Sequence, residues 1–145
     1  MQTASLRSIP MPASYIYWIS TALLSLLYLT SATLYMAKTN WARQAVVDLR
    51  YPGYLVPILA AVKILAVVAI VSRISVPLSD LAYAGVFYHL LLSAIAHIGV
   101  RKLKDAVPAA VGLVLLVASF TTQNAAREIP SSYGAAPVSR QVNHN

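Results

Sequence analysis

The chain contains no cysteine. That excludes a disulfide scaffold, a thiolate zinc site and a cysteine nucleophile. Acidic residues are also scarce: four Asp and Glu stand against eleven Lys and Arg, a formal net charge of +7. Charged residues of both signs fill only 10% of the 145 positions, and 59% are hydrophobic. A soluble domain carries about 25% charged residues, so a water-soluble globule is a poor description. The aliphatic content is too high for a disordered chain. No Gly-rich phosphate loop, dinucleotide fingerprint or nucleophile–base motif is present. A length near 150 suits one domain.

What the sequence does have is long uncharged runs. Positions 8–37, 81–100 and 106–126 contain no charged residue, and 51–72 contain only Lys63. A helix needs about 20 mainly apolar residues to cross a hydrocarbon core. The runs lack the apolar/polar alternation of a membrane β-strand. They predict an all-α integral membrane protein, an up-down four-helix bundle with helices over 14–37, 54–73, 78–100 and 107–124. Residues 1–13 form an N-terminal segment, 14–126 the transmembrane domain and 127–145 a flexible tail rich in Pro, Ser, Gly and Ala. The first run is too long for the apolar core of a secretory signal and is read as a retained helix.

Proline marks the helix starts at Pro12, Pro52, Pro77 and Pro108. Pro57 either begins the second helix or kinks it. Ser79 or Asp80 is expected to cap the third helix, and Asp105 the fourth. Between the first two helices, Trp41, Ala42, Ala45, Val46 and Leu49 recur at helical spacing. They predict a short amphipathic helix over 40–50 in the membrane interface. Tyr15, Tyr17 and Trp18 at one end, and Tyr35, Trp41, Tyr51 and Tyr54 at the other, suit the two interfacial belts.

The charges lie between the runs in short clusters rather than in one basic stripe, so the excess of Lys and Arg reports topology and not nucleic acid. Connections 38–50 and 101–104 hold Lys38, Arg43, Arg50, Arg101, Lys102 and Lys104. Arg7, Arg73 and Arg127 lie near helix ends on the other side. Six against three places those connections in the cytoplasm and both termini outside a cell membrane.

Lys63 is the anomaly, about 15 Å from either interface at a rise of 1.5 Å per residue. A Lys at mid-depth costs about 2.5–3.5 kcal/mol and usually faces the bundle interior. Either it contacts an anionic or carbonyl-bearing ligand, or it is a structural element bonded to backbone and hydroxyl groups. Gly85, His89, Ser93 and His97, four apart, form one stripe of the third helix. Small residues in such a stripe let helices pack closely, which turns it toward protein. Lys63, Tyr83, His89 and His97 are the candidate lining of a small intramembrane pocket. The two histidines stand about 12 Å apart along the helix, with no carboxylate in the spans, so no metal site is expected.

The stretches Leu49-Arg50-Tyr51-Pro52-Gly53-Tyr54-Leu55 leading to Lys63-Ile64-Leu65, then Ala82-Tyr83-Ala84-Gly85 and Ala94-Ile95-Ala96-His97, resemble the DoxX-like family of small four-helix membrane proteins over roughly 15–122. Two departures stand out. Ala60 and Ala61 occupy places where the family often has Gly, and His89 occupies one that is often acidic or amidic. The resemblance implies an integral membrane protein largely without assigned activity. Some wider relatives are membrane subunits linked to quinone or sulfur redox chemistry. Three functions follow as expectations: an accessory, non-enzymatic subunit that binds a quinone or another lipophilic molecule for a redox protein partner; a subunit of a thiosulfate:quinone type oxidoreductase; or a small transporter or channel, which would need a homo-oligomer.

Overall fold

A computed structural model describes residues 11–135, and each apolar run is a helix in it. Five α-helices follow one another: α1 (Met11–Ala37), α2 (Thr39–Asp48), α3 (Leu55–Ser72), α4 (Val76–Gly99) and α5 (Leu103–Thr122). A 3₁₀ turn, Gln123–Ala126, closes the series. Among the described residues there is no strand. α1, α3, α4 and α5 are long and apolar enough to cross a membrane. Most of their apolar side chains face outward; Leu65, Leu81 and Val114 are each more than 65% exposed. Water would not tolerate so continuous an apolar surface, whereas acyl chains would. The chain is a multi-pass membrane protein.

α1 packs against α3 and α5, and α4 packs against the same two, so α1 and α4 stand at opposite corners of a square. The links 73–75 and 100–102 are short enough to force antiparallel neighbours. The central core is Leu24, Tyr28, Ile70, Tyr83, Val86, Leu90, Ala109 and Leu116. Gly112 is the close-approach glycine: a Cβ there would lie 2.8 Å from Leu90 Cδ2 and 3.1 Å from Leu27 Cδ2. Gly85, expected to serve close packing, is exposed instead, and a Cβ on it would meet nothing within 4 Å. Its part of the stripe lies toward the bundle's exterior, while His89 turns inward.

The amphipathic helix is present as α2. Ala42 and Val46 are buried against Val56, with Tyr35 and Leu59 alongside, while Trp41 and Val47 point out. α2 and α4 end in the same way. Tyr51 N–H donates to Val46 O and Arg50 N–H to Val47 O; Lys102 N–H donates to His97 O and Arg101 N–H to Ile98 O. These are Schellman closures, which put Arg50 (φ 67°) and Arg101 (φ 61°) in the left-handed region that glycine favours.

Several termini differ from the sequence reading. Ser75 caps α4, accepting from Leu78 N–H, with Pro77 in the first turn. Ser79 and Asp80 lie inside the helix with other partners. α5 starts at Leu103, so Pro108 is inside it and Asp105 sits in the first turn without a capping bond. An acidic group there still complements the helix dipole. Pro57 falls in the first turn of α3, where its missing N–H costs nothing, so it begins the helix rather than kinking it.

Residues 127–135, the first part of the expected loose tail, are bonded to the bundle. Arg127 donates to Ser79 Oγ at 2.6 Å, and Ser131 Oγ donates to Asp80 Oδ2 at 2.7 Å. Asn124 donates to the carbonyls of Ser131 and Ala135 and accepts from Ser131 N–H. The Arg73 guanidinium donates to Ala126 O. Of the expected N-terminal segment over 1–13, residues 11–13 already belong to α1; residues 1–10 with Arg7, and the tail over 136–145 with Arg140, lie outside the described residues.

Candidate functional site

The site begins on the inner face of α1. Tyr28, Ser31 and Tyr35 recur at helical spacing and point toward α3 and α4. Lys63, midway along α3, is only 5% exposed. Its ammonium donates to Ser31 Oγ at 2.6 Å and lies 3.9 Å from the centre of the Tyr35 ring. A hydroxyl dipole and a ring face each attract a cation. Neither cancels its charge, and the only ion pair among the described residues is Lys102–Asp48, at the surface.

His89, on α4, faces the same region from the opposite corner. Its Nδ1 lies 2.8 Å from the Tyr28 hydroxyl, and the two rings meet edge to face. The tautomer decides which atom donates. The Tyr28 hydroxyl also reaches the Val86 carbonyl at 3.4 Å.

These groups line a cavity of about 370 Å³. It runs beneath α2 to an exposed mouth at Lys104 and Asp105, with Ser93 and His97 on its wall. His97 Nδ1 is buried without a hydrogen-bond partner. A second space of about 290 Å³, the groove between α3 and α4, shares Tyr28, Lys63 and His89 with the cavity. Its walls include Val62, Leu65 and Leu81, all more than half exposed on the lipid-facing side.

Lys63, His89 and His97 are thus brought together, and Tyr83 is not. Tyr83 is 2% exposed and its hydroxyl lies 2.6 Å from Ser119 Oγ, which lies 2.6 Å from Thr21 Oγ1. This hydroxyl chain ties α1, α4 and α5 about two helical turns along α4 from His89. Tyr83 borders a different groove, about 700 Å³, with Asp80, Phe87, Phe120 and Tyr133.

The partners on α1 are not among the candidate site residues singled out by the sequence. Tyr28, Ser31 and Tyr35 at i, i+3 and i+7 were the available signal, but nothing in the sequence aimed them at Lys63. Tyr17 and Tyr35, expected in the interfacial belts, lie inside the bundle instead. Tyr17 is fully buried, its hydroxyl unpaired, while its neighbours Tyr15 and Trp18 face outward. Tyr35 is half-buried beneath Lys63. Hydroxyls such as Thr33 and Thr121 need no functional account, because each donates to the carbonyl four residues back. No cluster of three metal-ligating side chains occurs among the described residues.

The sequence profile of the DoxX-like family matches residues 19–119, well over half of the chain. The chain belongs to that family. Comparison with curated proteins and with solved structures gives no match.

Proposed function

We propose that this DoxX-like membrane protein is an accessory, ligand-binding subunit whose cavity beneath α2 receives the polar end of a lipophilic molecule. Lys63 is the main contact, and His89 and His97 stand on the wall. The observation that carries the reading is the burial of Lys63 beside neutral partners only. A desolvated ammonium held by one hydroxyl and one ring face gains stability from any acceptor brought to its remaining N–H groups.

A quinone carbonyl suits this donor set and the apolar walls around it. Such a molecule supplies reversible electron transfer when bound; Lys63, His89 and the cavity wall would hold and orient it for a redox protein partner. The chain has no thiol with which to carry a persulfide itself. Passage through a single copy is the weaker reading, because the bundle centre is filled by a packed core that includes Leu24, Val86 and Leu116.

In the bilayer, the α1–α3 and α4–α5 connections face the cytoplasm, as their six basic residues favour. The chain lacks cysteine, so single cysteines report orientation directly: Lys102→Cys should label from inside and Tyr133→Cys from outside. Native mass spectrometry of detergent-extracted protein tests the pocket. A co-purifying lipophilic mass should be present in the wild type and depleted in Lys63→Met and His89→Leu. Equal retention in both variants rejects the pocket.

A further inference from the structure

We infer that the ligand is an anionic single-chain amphiphile, its acidic head at Lys63 and its chain in the groove between α3 and α4. The inference rests on the ligand-binding reading above and departs from the quinone in one respect, an acidic head in place of a neutral carbonyl. Cationic or protonatable groups predominate around the cavity: Lys63, Lys104, His89 and His97 line it, and Asp105, at the exposed mouth, is its one carboxylate. Lys63 has three N–H donors; Ser31 takes one, and the Tyr35 ring covers another side. A neutral carbonyl would satisfy a remaining donor and leave the buried charge uncancelled. A carboxylate or phosphate monoester would do both, through a charge-assisted hydrogen bond.

The place for the chain follows from the joined spaces. The α3–α4 groove meets the cavity at Tyr28, Lys63 and His89 and is otherwise apolar, open toward lipid past Leu65 and Leu81. Gly85 lines this groove, and a Cβ there would enter open space. Glycine at this position thus leaves volume on the path of a chain, without serving helix contact. One groove beside one buried cation fits one chain and one acidic head.

The test uses the full chain in detergent, cleared of lipid and offered palmitate, palmitoyl lysophosphatidate or hexadecanol, with bound mass read by native mass spectrometry. The wild type should retain at least one of the two acids about tenfold better than the alcohol. Preference for palmitate assigns a free fatty acid, and preference for the lysolipid a phosphate head; either supports the inference. Lys63→Met should lower acid retention to the level of the alcohol, and Lys63→Arg should keep the preference. Gly85→Leu, whose side chain fills the groove, should reduce retention of all three while helicity and melting are preserved. Equal retention of acid and alcohol by the wild type overturns the anionic assignment and leaves the pocket standing. Undiminished retention in Gly85→Leu overturns the chain path. Failure to hold any of the three, with no co-purifying mass from cells, removes the ligand-binding reading as well.

Discussion

The Tyr28 hydroxyl lies 2.8 Å from His89 Nδ1 and so joins α1 to α4 across the diagonal of the bundle. These helices have no backbone approach of their own; each packs on α3 and α5. The pair therefore spans the centre of the protein beside Lys63 and sets the floor of the candidate cavity.

A double-mutant cycle on this pair should show coupling. Tyr28→Phe leaves the ring packed but deprives His89 Nδ1 of its partner, and His89→Leu removes the other side. Each single variant should lose about 1–2 kcal/mol of stability, with a coupling near 1 kcal/mol, as expected for side-chain hydrogen bonds within a membrane bundle. Unfolding in mixed detergent micelles measures it, and additive losses would mean that the contact contributes nothing.

Gly112 and Gly85 should respond in opposite ways. Gly112→Val drives a side chain into Leu90 and Leu27 and should destabilise by about 1–3 kcal/mol. Gly85→Ala adds a methyl in open space and should be neutral or stabilising by up to about 1 kcal/mol through helix propensity. The same unfolding assay decides between them. A Gly112→Val variant as stable as the wild type would contradict the close contact of α5 with α1 and α4.

The tail should contribute to stability although its composition suggests otherwise. Ending the chain after Ala126 removes Arg127 from Ser79 and Ser131 from Asp80 and Asn124. A loss of about 1–3 kcal/mol is expected, with faster amide exchange at the start of α4 and the end of α5. Unchanged exchange there would show that the tail bonds are not maintained in solution.

The α2–α5 tether should depend on pH. Gln44 and Lys102 hold the exposed Asp48 carboxyl below its ordinary range, the Gln44 hydrogen bond being the larger cause. A depressed carboxyl contributes stability that is fully present above its unfolded range and is lost as pH falls through the folded one. Spin labels on α2 and at the start of α5 should therefore report a looser separation in acid, and Asp48→Asn should reproduce it at neutral pH. High salt should weaken the same contact, since both groups face water. A distance distribution insensitive to all three changes would rule the tether out.

The class of this protein follows from its charge pattern alone. Thirty uncharged positions before Lys38, and three more runs of about 20, admit only helices in lipid, where each backbone group must bond within its own segment. The same logic fixed the short α2, since Ala42 and Val46 need a surface to cover. Lys63 stood out for the same reason, as the one charge without water. Helix ends were less legible: Ser79 and Asp80 have the chemistry of caps, yet Ser75 lies nearer the break in the backbone, and Leu103–Ala106 favour helix strongly enough to enclose Pro108. Which helices are neighbours comes from the packing. A helical stripe shows which residues share a face and not which helix that face meets. Only the square packing gave Lys63 to Ser31 and Tyr35, His89 to Tyr28, and Tyr83 to Ser119 in the other half of the bundle. The +7 balance and the missing cysteines describe the membrane frame; where the buried Lys63 points is a property of the packing.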